Sequence, residues 1–209
     1  MDPTLAAFQA SYDLVGPLLD ADALEQRWDD ESVLTEFSVR GLAGHLVRVG
    51  WAVLDYSRHE VAGDSPIPAE EYYRTVLAAM GAHEHLEVRV RGEEVAGADV
   101  GSLRASYHTA RDGLGAFLRD ADPNRLVKVF RGLVMRFEDY LQTRIVETLV
   151  HLEDLALSLG VTPPDPPRAA YDIAIDHLIR VARLTHGDRA VLTALSRRER
   201  DDLDALRIF

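Results

Sequence analysis

A helix over residues 137–159 constrains this chain more than any other stretch. At about 100° per residue, Phe137, Leu141, Ile145, Leu149, Leu152, Leu155 and Leu159 share one broad arc, and Val146, Val150 and Leu157 share another. Between the arcs runs a polar stripe of Tyr140, Arg144, Glu147, His151, Asp154 and Ser158, while Gln142 and Glu153 occupy a separate narrow arc that reads as the solvent face. A polar stripe with apolar borders on both sides points into a bundle, and charges taken into a bundle need partners. Gly160 is a suitable C-cap, and prolines at 163, 164, 166 and 167 prevent continuation.

Within the stripe, Glu147 and His151 stand four residues apart, so a helix stacks them one turn above the other. Two ligands of one divalent ion sit that way, and a catalytic zinc site needs a third protein ligand and an open position. The candidate third ligand is His45. It belongs to a helix opened by Ser38 as N-cap and running to about Arg58, where its nearest neighbours on the wheel are Leu42, Val49, Ala52, Val53 and Tyr56. A histidine centred on an apolar stripe is either a ligand or a core residue hydrogen-bonded to a carbonyl or tyrosine.

The 209 residues suffice for one well-buried domain with a small appended piece. A net charge of -12 argues against nucleic acid or an anionic membrane as partner. There is no cysteine, so any sulfur chemistry must use a small-molecule thiol. No apolar run is long enough to span a bilayer and no signal-peptide pattern opens the chain, so the cytoplasm is the expected location.

Elsewhere the patterns predict a helix over 4–20 with a kink at Pro17, a short helical piece over 23–28, a loop over 63–68 and a helix over 69–80. Residues 83–97 are ambiguous: Leu86, Val88 and Val90 alternate with Glu87, Arg89 and Arg91 as in a strand. A helix is preferred, because the only evident strand partner is 126–130. A helix over 102–119 buries Leu103, Tyr107, Ala110, Leu114 and Phe117 and leaves His108 in solvent. After the prolines comes a helix over 168–184, then a last one opened by Ser196 with Glu199 as a capping box and packed through Leu195, Leu203 and Leu206.

Three segments carry a family likeness: 38–46 around His45; Arg144, Glu147, His151, Asp154, Leu155 and Ala156; and 187–200 with its Gly-Asp-Arg-Ala-Val-Leu and Arg-Arg-Glu-Arg. Together they resemble the maleylpyruvate isomerase N-terminal-domain family of the DinB-like superfamily. The resemblance implies an all-α, four-helix bundle over 1–160 with a short helical extension over 161–209, and a divalent metal, usually zinc, held by His45, Glu147 and His151. It also implies a low-molecular-weight thiol such as mycothiol, used as isomerase cofactor or as nucleophile in S-transfer.

Isomerases of this kind carry a distinct C-terminal domain, whereas about 40 residues follow the prolines here, so S-transfer to a small electrophile is expected over maleylpyruvate isomerisation. In that scheme Arg144 and Asp154 place the thiol, and Tyr140 and Tyr56 line the pocket. For Arg144 and Asp154 the alternative is a structural ion pair. For the whole protein the alternatives are a metal-stabilised or metal-free binding module, homodimeric, and a metal-assisted hydrolase.

Overall fold

The computed structural model describes residues 1–58, 61, 65–196 and 203–208. Its helices are α1 (Pro3–Asp13), α2 (Val15–Leu19), α3 (Asp22–Gln26), α4 (Val39–Tyr56), α5 (Ala69–Ala79), α6 (Ala82–Ala96), α7 (Val100–Leu118), α8 (Phe137–Leu159), α9 (Arg168–His186) and α10 (Asp188–Ser196). Two three-residue strands, β1 (Leu126–Lys128) and β2 (Val134–Arg136), pair antiparallel. The fold is all-α and DinB-like, as expected. No described helix is long and apolar enough to cross a membrane.

Four helices close a ring: α1 packs on α7 and α8, and α4 packs on the same two from the other side. Phe8, Leu42, Leu46, Leu103, Leu114, Phe137 and Ile145 fill the space between them without exposure. Tyr12 crosses the ring from α1 and donates to the Val47 carbonyl at 2.9 Å. Its ring occupies the place a Cβ on Gly50 would need.

The α8 helix has the bounds read from its periodicity, and its C-terminus is closed by Gly160 in the left-handed conformation (φ 69°). The solvent face is corrected in two places. Leu157, expected on an apolar arc, is 63% exposed beside Glu153, whereas Gln142 is half-buried and accepts from Arg180 of α9 at 2.6 Å. The cause is α9, which packs along α8 and α5 and covers a flank that a free-standing wheel assigns to water. Ser158 leaves the polar stripe for a structural task, accepting from the Val33 amide at 3.0 Å.

Residues 82–96 are helical, as preferred. Glu84 reaches back to the Gly81 amide at 3.1 Å and secures the first turn, while Leu86 and Val90 face solvent. What holds α6 is its contact with α4. A Cβ on Gly44 would run into the Gly92 carbonyl oxygen, and one on Gly92 into the Gly41 carbonyl oxygen, so the helices touch backbone to backbone. The Ser38 hydroxyl caps α4 through the Gly41 amide at 2.9 Å and also bonds to Glu93 of α6, so one side chain serves both helices.

The segment 126–130 does become a strand, but its partner is β2, with Val127 opposite Met135 and both fully buried. Arg131 (φ 58°) and Gly132 (φ 77°) make the turn between them. The first expected helix divides at Leu14 into α1 and α2, and α7 starts from Asp99, whose carboxylate caps the Ser102 amide at 2.7 Å. Ser196 stands within α10 instead of before a helix, its hydroxyl donating back to the Leu192 carbonyl at 2.7 Å, and the start of the helix expected after it lies outside the described residues. Leu195 is 60% exposed, and Glu199 and the side chain of Leu203 lie outside the described residues.

Candidate functional site

Two helices on adjacent sides of the ring converge on one point. α4 presents His45 and α8 presents Glu147 and His151. One ligand atom from each lies within 4.8 Å of the other two. His45 Nε2 stands 2.9 Å from Glu147 Oε1, and the two imidazoles meet edge to face at 5.0 Å between centroids. The close contact of α4 with α6 lies directly beside the site, since Gly44 precedes His45 and the Gly92 backbone runs past the His45 Cβ.

Each donor has a neighbour that prepares it. Asp154 Oδ2 lies 3.0 Å from His151 Nδ1, which puts the ring proton on Nδ1 and leaves the Nε2 lone pair free. Arg144 Nη1 lies 3.0 Å from Glu147 Oε2. Burial pushes the Glu147 carboxyl up, but the Arg144 charge and the hydrogen bond from His45 outweigh it and hold the group well below the usual carboxylate range. Burial keeps His45 below its ordinary value, in the neutral form that ligates, although Glu147 opposes it. Its Nδ1 is buried without a partner among the described residues.

The set fits a divalent ion. Two imidazoles and an ionised carboxylate from two helices are a three-ligand arrangement, close enough for small rotations to meet zinc bond lengths of about 2.0–2.2 Å. Histidine with carboxylate also suits several other divalent metals.

These residues form the floor of a cavity of about 550 Å³. Arg144 lies over the Tyr140 ring at 5.2 Å, and Tyr56 meets Tyr140 edge on at 5.8 Å, so all the residues expected at the site line one space. The Tyr140 hydroxyl is buried with no partner among the described residues, and burial raises its pKa far above the ordinary phenol value. The walls come from parts that sequence reasoning did not assign to the site: Tyr72 and Val76 from α5, Met80 just after it, Val88 from α6 and Phe130 from the hairpin turn. Arg48 was also missed. Its signal was present, as the one formally charged side chain between Gly41 and Leu54, three residues after His45.

The model of the mycothiol maleylpyruvate isomerase N-terminal domain matches residues 5–156. The chain belongs to that family. The matched span holds all three candidate ligands, Arg144 and Asp154, and closes inside α8, so α9 and α10 lie beyond it. No curated protein and no solved structure gives a match. None of the described residues of α9 or α10 lines the cavity, whose walls come from α4, α5, α6, α8, the hairpin turn and the segment before α4.

Proposed function

We propose that this protein is a divalent-metal-dependent enzyme, zinc being the expected ion, that uses a low-molecular-weight thiol of the mycothiol kind. The thiol is joined through its sulfur to a small electrophile, or isomerises it. One observation carries the reading: a His45, Glu147, His151 donor set at the floor of a largely apolar cavity, in a mycothiol-linked family and a chain with no cysteine of its own. A divalent cation bound there supplies a Lewis acid that favours the thiolate over the thiol at an open coordination position.

The chain's own residues do the rest. Asp154 fixes the tautomer and orientation of His151, and Arg144 balances the charge of Glu147. The Tyr140 hydroxyl offers a donor to an oxygen of the substrate, and Tyr56 with Arg144 frames the thiol. In transfer, the sulfur bonds to the electrophilic carbon and the leaving group departs with its electron pair. In isomerisation, it adds to a double bond, rotation follows and it leaves again. Residues 1–160 are assigned to the metal-binding bundle, 161–209 to a linker and extension packed on it, and the location to the cytoplasm.

The test is elemental analysis of untagged protein beside His45→Ala and His151→Ala, followed by thiol consumption with a panel of electrophiles. About one equivalent of metal in the parent, lost in both variants, with thiol-dependent turnover, is the expected result. A parent that takes up no zinc on reconstitution, or binds zinc and consumes no thiol, overturns the reading.

A further inference from the structure

Arginines in this chain are usually matched to carboxylates: Arg40 to Asp29 and Glu93, Arg111 to Asp13, Arg131 to Glu84, Arg144 to Glu147, Arg180 to Glu70. Arg48 is not. It is half-buried, lines the cavity, and makes no hydrogen bond or ion pair with any described residue. In a chain with 35 acidic residues, a guanidinium partly withdrawn from water and left unmatched is an incomplete site.

Its position defines what would complete it. On α4 it follows His45 by three residues, so both project from one face. It lines the same cavity as the donor cluster of α4 and α8 and as Tyr72 on the α5 wall. The Tyr140 hydroxyl is a second unmatched polar group on the same space. The cavity lining has three arginines, Arg48, Arg91 and Arg144, and three carboxylates, Glu84, Glu147 and Asp154. Arg144 is matched by Glu147 and Arg91 by Glu87, so Arg48 is the cavity guanidinium with no carboxylate partner among the described residues.

We propose that Arg48 is the anion anchor of this cavity, its guanidinium taking the carboxylate of a small acidic electrophile whose reacting carbon lies over the His45, Glu147 and His151 cluster. A guanidinium matches a carboxylate through two parallel N–H donors, and the apolar walls accept the carbon skeleton. That the acid is an electrophile rests on the thiol-enzyme reading; that the cavity binds a carboxylate through Arg48 does not.

The experiment is calorimetric titration of the full chain, metal-free and zinc-loaded, with 4-phenylbutanoate, its neutral amide and 3-phenylpropyl phosphate. The parent is expected to bind the carboxylate at least tenfold tighter than the amide and tighter than the phosphate, in both metal states. R48M loses that preference with the amide unchanged and the zinc stoichiometry kept. R48K retains part of it, because lysine keeps the charge and loses the fork.

A preference that survives in R48M overturns the proposal, as does a parent with no preference. Tighter binding of the phosphate overturns the carboxylate assignment. Should R48M not fold, R48K decides, since an undiminished preference there removes the role of the fork. Carboxylate binding through Arg48 without thiol consumption ends the thiol reading and leaves this site standing; turnover of thiol with neutral electrophiles and no carboxylate preference does the reverse.

Discussion

Gly44→Ala tests whether the backbone contact between α4 and α6 builds the site. A Cβ there would fall far inside contact distance of the Gly92 carbonyl oxygen and 2.8 Å from the Ala96 amide nitrogen. Neither obstacle is a side chain that can turn away, so the helices must separate. Overpacking of this kind costs about 1–3 kcal/mol, and a rigid obstacle belongs at or above the top of that range. Against it stands the roughly 1 kcal/mol by which alanine exceeds glycine in a helix interior. The net is a loss of about 2 kcal/mol, or roughly 4–8 °C in Tm for a domain of this size. Because the next residue is His45, a shift of α4 also spoils the donor geometry, and zinc affinity should fall at least tenfold. Thermal unfolding by circular dichroism and zinc titration against a competing chelator measure the two effects. Gly115→Ala is the control, since nothing lies within 4 Å of a Cβ at that position in α7, and it should be neutral or stabilising. If Gly44→Ala melts at or above the parent, as Gly115→Ala should, the crossing is not tight and the argument fails.

Two further substitutions separate the site from its scaffold. Asp154→Asn removes the carboxylate that orients His151; zinc affinity should drop about 10–100-fold with apo stability nearly unchanged, and equal affinity in a chelator competition would leave the contact without a ligand-orienting role. His177 is fully buried in α9 against Tyr73, with neither ring nitrogen partnered among the described residues, and burial, helped by the Arg180 and Arg144 charges, lowers its pKa to about 4. A depressed histidine contributes stability that is full above the unfolded pKa near 6.5 and lost as pH falls towards the folded value. Urea unfolding should therefore show the parent losing roughly 2 kcal/mol more than His177→Leu between pH 7 and 5, and parallel losses would contradict the burial argument.

The parts of the fold that were legible are those decided locally. The bounds of α8 follow from its apolar period and from Gly160, and the start of α4 from Ser38, because capping and periodicity act within a turn or two. Contacts from distant chain segments decided the rest. Leu157 lies in water and Gln142 does not, because α9 covers one flank of α8. Residues 126–128 pair with 134–136 only because the turn at Arg131 and Gly132 adopts positive φ, and Ser196 belongs to the helix over 188–196, with its hydroxyl turned back to Leu192. The crossing at Gly44 and Gly92 was invisible for a related reason: a glycine in a helical pattern reads as a weakness until the helix that needs the space is known.

The site was legible to the extent that burying polar groups is costly. Glu147 and His151 in a stripe between apolar arcs, and His45 in an apolar stripe, were conspicuous because each needed a partner there, and the structure brings the three together. Arg48 satisfied the same test on the same helix and went unremarked, because a long arginine can carry its charge to the rim and lay its stem on apolar surface. Only the cavity distinguishes the two cases. With walls from α5, α6 and the hairpin turn around it, the Arg48 head makes no ion pair with any described residue. The same reasoning that turned a buried histidine into a candidate ligand therefore turns this arginine into a candidate binding group, once the three-dimensional neighbourhood replaces the helical wheel as the measure of exposure.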